Sequence, residues 1–209
     1  MRGRERTRRM LSWPGESRPR HVNGRERDMG AKVRKSRKAH RASADSRLMV
    51  AYGANTNSAA MRFRCPDARP LGACKVDGFR LVFRQHADIV EREGSTVECV
   101  LWDITPRCEA SLDSFEGFPR YYVKRDVVVR WRGRTLNAFA YVMADDCENG
   151  LVAPTTWYEQ TLRQGYKEHG LDRAQIDYAL GVALAAERIE EFERTGNVEQ
   201  LWLDFGGAS

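Results

Sequence analysis

Short apolar segments separated by turn residues begin at Leu48 and predict a chain that forms strands first and helices later. The run 48–54 is apolar throughout, which is typical of a central strand buried on both faces. The segment 68–85 is predicted to be a strand pair or one bent strand, with Gly72 and Gly78 as candidate bulges. Further strands are predicted at 89–92, 97–104, 121–131 and 135–143.

Two glycine turns lie between these segments and predict hairpins. The first is Glu93-Gly94-Ser95, between 89–92 and 97–104, and the second is Arg132-Gly133-Arg134. A glycine-containing loop of about three to five residues between two strand-like runs is a common hairpin connection.

A short helix or turn is predicted at 57–63, a helix at 106–115, and two longer helices at the end. In the second of these, Pro106 lies in the first turn, Cys108, Leu112 and Phe115 share a face, and Gly117 follows as a stop. Strands followed by helices favour an α+β domain over alternating βαβ units.

The two late helices are predicted at 154–169 and 173–194. Trp157 and Tyr158 lie at helical spacing from Leu162, so we expect them to pack in the core. The last helix presents one apolar stripe: Ile176, Leu180, Ala183 and Leu184.

Charge divides the 209-residue chain into two parts, although its formal net charge is only +6. Residues 1–47 hold 16 Lys and Arg against 5 Asp and Glu, whereas 48–209 hold 19 against 24. The first part has almost no bulky apolar side chains, so it cannot offset the entropy cost of ordering. We therefore predict a disordered basic tail over 1–47 and a folded domain over 48–205.

Three interpretations of the basic tail stay open. It could be a nucleic-acid-binding arm, because clustered Arg and Lys attract phosphate. It could be an inert solvated extension, since only Trp13 is available for base stacking. It could also reflect an upstream start codon, because Met49 lies at the first strand. Nucleic acid is a partner only under the first interpretation.

Cysteines and histidines give no sign of a metal site. The five cysteines are scattered without a C-x-x-C pair, and no histidine lies at a ligand spacing from them. Scattered thiols are typical of a reduced, cytoplasmic protein, which is the location we expect. No apolar run approaches the roughly 18–20 residues of a membrane-spanning helix, so no membrane partner is expected.

Two segments suggest chemistry. Tyr52-Gly53-Ala54-Asn55 closes the first strand with a glycine turn, where backbone N–H groups can meet an anionic ligand. Glu116 ends the predicted helix 106–115, and a helix C-terminus disfavours a negative charge. With Phe115 and Phe118 beside it, we expect a raised pKa and a role in proton transfer.

Five motifs in order resemble the gamma-glutamylcyclotransferase-like family over roughly residues 48–170. They are Tyr52-Gly53-Ala54-Asn55, Cys65-Pro66, Gly78-Phe79-Arg80-Leu81, Leu112-Asp113-Ser114-Phe115-Glu116-Gly117 and Tyr141. The resemblance implies a small mixed β-barrel flanked by helices, with the strand-end loop and the acid at one cavity. It further implies release of 5-oxoproline from a γ-glutamyl amine or amino acid, without a metal or other cofactor.

The resemblance also assigns site residues. Glu116 would be the general base and acid, the amides of Gly53 and Ala54 would bind the substrate carboxylate, and Tyr52, Asn55 and Tyr141 would line the site. Asp113, one turn before Glu116, is expected to be a hydrogen-bonded structural carboxylate.

One residue departs from the family pattern and keeps an alternative open. The family has serine where this chain has Ala54, which costs about 0.5–1.5 kcal/mol if the hydroxyl is needed. The alternative is a non-catalytic protein that binds a small anionic ligand in the same cavity.

Overall fold

A computed structural model of the chain describes residues 46–144 and 150–195, so the tail predicted over 1–47 lies outside the described residues except for its last two positions. The strands are β1 (Arg47–Ala51), β2 (Arg69–Arg84), β3 (His86–Ile104), β4 (Tyr122–Trp131) and β5 (Arg134–Met143). The helices are α1 (Ser58–Arg64), α2 (Pro106–Glu116), α3 (Thr156–His169) and α4 (Ala174–Thr195). A 3₁₀ turn, Ala54–Thr56, joins β1 to α1.

The five strands close into a barrel in the order β1-β3-β2-β4-β5. The β1–β5 pair is parallel and the other pairs are antiparallel, so the predicted mixed β-barrel with flanking helices is confirmed. β1 lies between two strands, and its residues Met49, Val50 and Ala51 are buried, as expected of a central strand.

The predicted bulges on β2 are confirmed, because the β2–β3 register shifts beside Gly72 and again beside Gly78. The predicted hairpin at Glu93-Gly94-Ser95 is wrong. Both of its expected arms pair with β2 instead, and the chain reverses at Gln85, whose φ is 69°. Gly94 has a φ of 75° and lies in an irregular part of β3. A positive φ suits a bulge as well as a turn, so the local sequence could not separate the two.

Capping residues mark where two of the helices begin. Thr105 accepts a hydrogen bond from the Cys108 N–H before α2, and Thr155 does the same for Tyr158 before α3. The helix predicted to start at Pro154 therefore begins at Thr156. The predicted stripe of α4 is partly wrong, because Ala179 is buried beside Ile176 and Ala183, whereas Leu184 is 44% exposed.

Gly165 brings α3 against the turn that follows β1. A Cβ at this position would lie 2.3 Å from Thr56 Oγ1 and 2.5 Å from the backbone nitrogen of Asn57. Backbone atoms cannot move aside as a side-chain tip can, so only glycine permits this approach.

The Gly165→Ala variant should therefore lose stability, by roughly 1–3 kcal/mol as for other overpacked sites. Gly181 on α4 is the matched control, since a Cβ there meets nothing within 4 Å. Gly181→Ala should be neutral or stabilising by up to about 1 kcal/mol, because alanine is the better helix former. Urea unfolding of both variants is the measurement, and equal free-energy changes would contradict this role of Gly165.

Candidate active site

Glu116 occupies an inward-facing position of α2. The buried residues of this helix are Cys108, Leu112 and Glu116, spaced four apart and therefore on one face. Only 6% of the Glu116 surface is exposed. Phe115, expected on this face, is only half-buried. The helix then ends at Gly117, whose φ of 65° provides the left-handed cap.

The strand-end loop, Tyr52-Gly53-Ala54-Asn55, follows β1 and also reaches Glu116. After β1, the Thr56 N–H donates to the Gly53 carbonyl at 2.9 Å and the Asn57 N–H donates to the Ala54 carbonyl at 3.1 Å. This tight turn carries Asn55 toward α2. There its Nδ2 donates to Glu116 Oε1 at 2.6 Å, joining residues that are 61 positions apart in sequence.

Arg64 is a third member of this cluster, and the sequence analysis missed it. It is the last residue of α1, and its Nη1 donates to Asn55 Oδ1. Its guanidinium carbon lies 3.6 Å from the centre of the Phe115 ring. A polar chain therefore runs from Arg64 through Asn55 to Glu116. The signal in the sequence was an arginine directly before Cys65-Pro66, at the end of a helix that begins beside the loop.

Burial raises the pKa of Glu116 to about 7, while the hydrogen bond from Asn55 and the positive charge of Arg64 oppose the shift. The pKa of Glu116 is raised, as expected, but its aromatic neighbours contribute less to the shift than predicted, since Phe118 is 40% exposed. A carboxyl group with this pKa exists in both protonation states near neutral pH, which suits a group that accepts and returns a proton.

Tyr52 and Tyr141 lie in the wall around this cluster. The buried Tyr52 hydroxyl donates to the backbone oxygen of Tyr141, and the Tyr141 hydroxyl donates to Asp113 at 2.6 Å. Lys124 also donates to Asp113, at 2.8 Å. These bonds fit the structural role expected for Asp113. Burial and the Asp113 carboxylate raise the pKa of Tyr141, so its hydroxyl stays protonated.

Tyr158 contacts the strand-end loop, a second feature that the sequence analysis did not find. Its hydroxyl accepts a hydrogen bond from the Ala87 N–H at 3.1 Å. Burial raises the pKa of Tyr158 to about 12, and a backbone hydrogen bond from Ala54 opposes this. The prediction of core packing is therefore correct for Tyr158, although it did not include the contact of its hydroxyl with the loop. It is wrong for Trp157, which is 45% exposed.

Gly53 fits tightly against Tyr158. A Cβ at Gly53 would lie 3.0 Å from the Tyr158 hydroxyl oxygen and 3.2 Å from the Ala87 Cβ. Any side chain here would push Tyr158 or the loop away, so the glycine sets how closely the loop packs. The predicted loop residues Tyr52, Gly53, Ala54 and Asn55 and the predicted acid Glu116 are thus brought together, with Tyr141 adjacent.

Among residues 46–144 and 150–195, no three or more His, Cys, Asp or Glu side chains are grouped as metal ligands. The cysteines described there are free thiols: Cys65, Cys74, Cys99 and Cys108. Cys74 on β2 lies opposite Cys99 on β3 in the strand register, without a disulfide. Within the same residues, no helix is both long enough and apolar enough to span a bilayer.

Comparison with known proteins agrees with this architecture. A solved structure titled gamma-glutamyl cyclotransferase is 25% identical, with a TM-score of 0.58 over 64% of this chain and 86% of that one. An uncharacterized protein from Homo sapiens is also 25% identical, with a TM-score of 0.56 over the same shares. YkqA from Bacillus subtilis shares the fold, at 20% identity and a TM-score of 0.56 over 65% of this chain and 54% of that one.

No curated protein matches the sequence significantly. The family model described as gamma-glutamyl cyclotransferase, AIG2-like, matches residues 49–160, which include the loop, α2 and all five strands apart from the first two residues of β1. The match covers more than half of the chain. The protein therefore belongs to the gamma-glutamyl cyclotransferase, AIG2-like family.

Proposed function

We propose that the protein is a cyclotransferase that releases 5-oxoproline from a γ-glutamyl amine or γ-glutamyl amino acid. The observation that carries the proposal is the 2.6 Å hydrogen bond between Asn55 of the strand-end loop and Glu116. It joins a loop suited to an anionic substrate with a buried carboxyl group whose pKa is about 7. Family membership supports a cyclotransferase-type reaction on a small molecule.

The reaction is intramolecular, so the protein mainly has to hold the substrate in a ring-closing conformation and transfer protons. The α-amine attacks the γ-carbonyl carbon of the same molecule, a new C–N bond closes the ring, and the original amide C–N bond breaks. Well-oriented reactions of this kind reach effective molarities on the order of 10⁵ M or more. Holding the substrate in its ring-closing shape therefore supplies much of the acceleration.

Proton balance defines the role of Glu116. The attacking α-ammonium group carries three protons, the lactam nitrogen keeps one, and the departing amine receives the other two. Ionised Glu116 accepts a proton from the α-ammonium group, and the protonated acid then donates to the leaving nitrogen. A single group can serve both steps when its pKa lies near the working pH, as the buried position of Glu116 provides.

The remaining site residues are assigned to binding. We assign the Gly53 amide to the substrate carboxylate, together with the Ala54 amide, whose N–H also donates to the Tyr158 hydroxyl and is shared between the two acceptors. The Asn55 side chain orients Glu116 through their hydrogen bond. Tyr52 and Tyr141 shape the wall of the site, where their hydroxyls are already fixed by protein partners. This rigidity favours one substrate conformation over many.

Mass-spectrometric detection of 5-oxoproline tests the proposal. The full chain is incubated with a panel of γ-glutamyl amino acids and γ-glutamyl amines, and the released amine is measured as well. Equal amounts of 5-oxoproline and amine are expected from at least one substrate. Binding of panel members without either product would contradict the cyclotransferase and favour the non-catalytic ligand-binding protein.

A further inference from the structure

The Asn55 side chain lies between a cation and an acid. Its Oδ1 accepts a hydrogen bond from Arg64 Nη1, and its Nδ2 donates to Glu116 Oε1 at 2.6 Å. One amide group therefore presents an acceptor to the guanidinium and a donor to the carboxylate. The two charged groups are close enough that a single small polar group bridges them.

The headgroup of a γ-glutamyl compound has the same polarity as this amide. Its α-carbon carries an ammonium group, which donates, and a carboxylate, which accepts. We propose that Arg64 binds the α-carboxylate of the substrate while Glu116 meets the α-ammonium group on the same carbon. The inference rests on the proposed function for the identity of the headgroup, and it adds a binding residue and a requirement for an α-carboxylate.

Charge balance requires a cation at this position. When Glu116 is ionised, it and the incoming carboxylate bring two negative charges to a buried site. The α-ammonium group offsets one of them, and the loop amides carry no formal charge to offset the other. Lys124 lies near Tyr141, but it is already held by Glu109 at 2.7 Å and by Asp113 at 2.8 Å. Arg64 is the cation whose charge acts on Glu116.

The Arg64 guanidinium is held in place and still has donors to offer. The centre of the Phe115 ring lies 3.6 Å from the Arg64 guanidinium carbon. Ser111 Oγ donates to the Arg64 backbone oxygen at 2.8 Å. Within the described part of the chain, its side chain makes one hydrogen bond, to Asn55. An arginine fork has five N–H donors, so donors remain for a carboxylate.

The test varies Arg64 and the substrate carboxylate together. Wild type and Arg64→Met are assayed on a γ-glutamyl amide and on the matching γ-aminobutyryl amide, which lacks the α-carboxylate and cyclises to pyrrolidinone. Measurement at a pH well above the pKa of Glu116 keeps that group ionised. We expect Arg64→Met to lose roughly 10- to 100-fold in kcat/KM on the γ-glutamyl amide, as for a hydrogen bond between charged groups, and far less on the γ-aminobutyryl amide.

Equal losses on both substrates would overturn the inference, since a merely structural arginine serves both alike. Arg62, an exposed arginine on the same helix, is the matched control, and Arg62→Met should leave both rates unchanged. Arg64→Lys keeps the charge but loses the fork, so it should recover part of the selective loss. It also covers the case in which Arg64→Met fails to fold.

A binding measurement separates this inference from the proposed reaction. Calorimetry compares 5-oxoproline, which keeps the carboxylate, with pyrrolidinone, which lacks it. Wild type should bind 5-oxoproline more tightly, and Arg64→Met should remove most of that preference, since only the uncharged loop amides then meet the carboxylate. This pattern without any turnover would remove the proposed function and leave Arg64 as the carboxylate-binding residue. Equal affinity of wild type for both lactams would overturn the role of Arg64.

Discussion

Replacement of Glu116 by glutamine is expected to lower the rate of 5-oxoproline formation by about 10³-fold or more, within the range for general acid–base catalysis. The amide has the shape of the carboxyl group but can neither accept the proton of the α-ammonium group nor return it to the leaving amine. Turnover of the variant on the best γ-glutamyl substrate, followed by mass spectrometry, is the measurement.

The fold should survive this change. The glutamine can place its Oε1 where Glu116 Oε1 lies and still accept the hydrogen bond from Asn55 Nδ2, and a buried ionisable group is removed rather than added. Glu191→Gln on α4 is the control, because Glu191 has a 70% exposed side chain outside the site. A Glu116→Gln protein that folds normally and retains wild-type turnover would show that another group moves the proton.

The stability of the wild-type protein should fall as the pH rises through the folded-state pKa of Glu116, by about 2–3 kcal/mol between pH ~4 and ~8. The ordinary pKa of glutamate is 4.5, and burial raises that of Glu116 to about 7. Between these values the folded protein binds more protons than the unfolded chain, so stability is fully present below about 4.5 and is lost through about 7.

Other groups titrate over the same range, so the prediction concerns the difference between two proteins. Glu116→Gln lacks this titration but keeps all the others, including those of the buried Asp88 and the half-buried His86. Urea unfolding of both proteins across the pH range should show wild type losing stability relative to the variant as the pH rises. Parallel curves would mean that the pKa of Glu116 is not raised by burial.

The barrel could be predicted because its local signals agree with one another. Gly133 and its flanking arginines form the β4–β5 turn as expected, and Gly117 ends α2 where the pattern placed a stop. The β2–β3 pairing was partly misread, because Gly94 suits a bulge as well as a turn, and only the partner strand distinguishes them. Leu184 was assigned to the core because the apolar positions of α4 form a stripe wider than the line that is buried, which passes through Ile176, Ala179 and Ala183.

The site was predicted from the motifs that contain Asn55 and Glu116, but Arg64 and Tyr158, which contact the loop, were missed. Asn55 and Glu116 each lie in a recognisable segment, so their approach could be expected. Arg64 and Tyr158 reach the loop from a short helix and from the last third of the chain. Their positions follow from barrel closure and from the close contact at Gly165, which residue spacing along the chain does not show.

The measurement that tests the central claim most directly compares the titration of Glu116 with the pH dependence of catalysis. Carbon-detected NMR of ¹³C-labelled glutamate, assigned by its loss in Glu116→Gln, gives the pKa of the carboxyl group. Beside it, kcat/KM for 5-oxoproline release is recorded against pH. The account predicts that Glu116 titrates at a pKa of about 7 and that kcat/KM rises with pH through the same value. A Glu116 carboxyl group that titrates near 4.5, while the rate changes elsewhere, would contradict its role as the proton-transferring group.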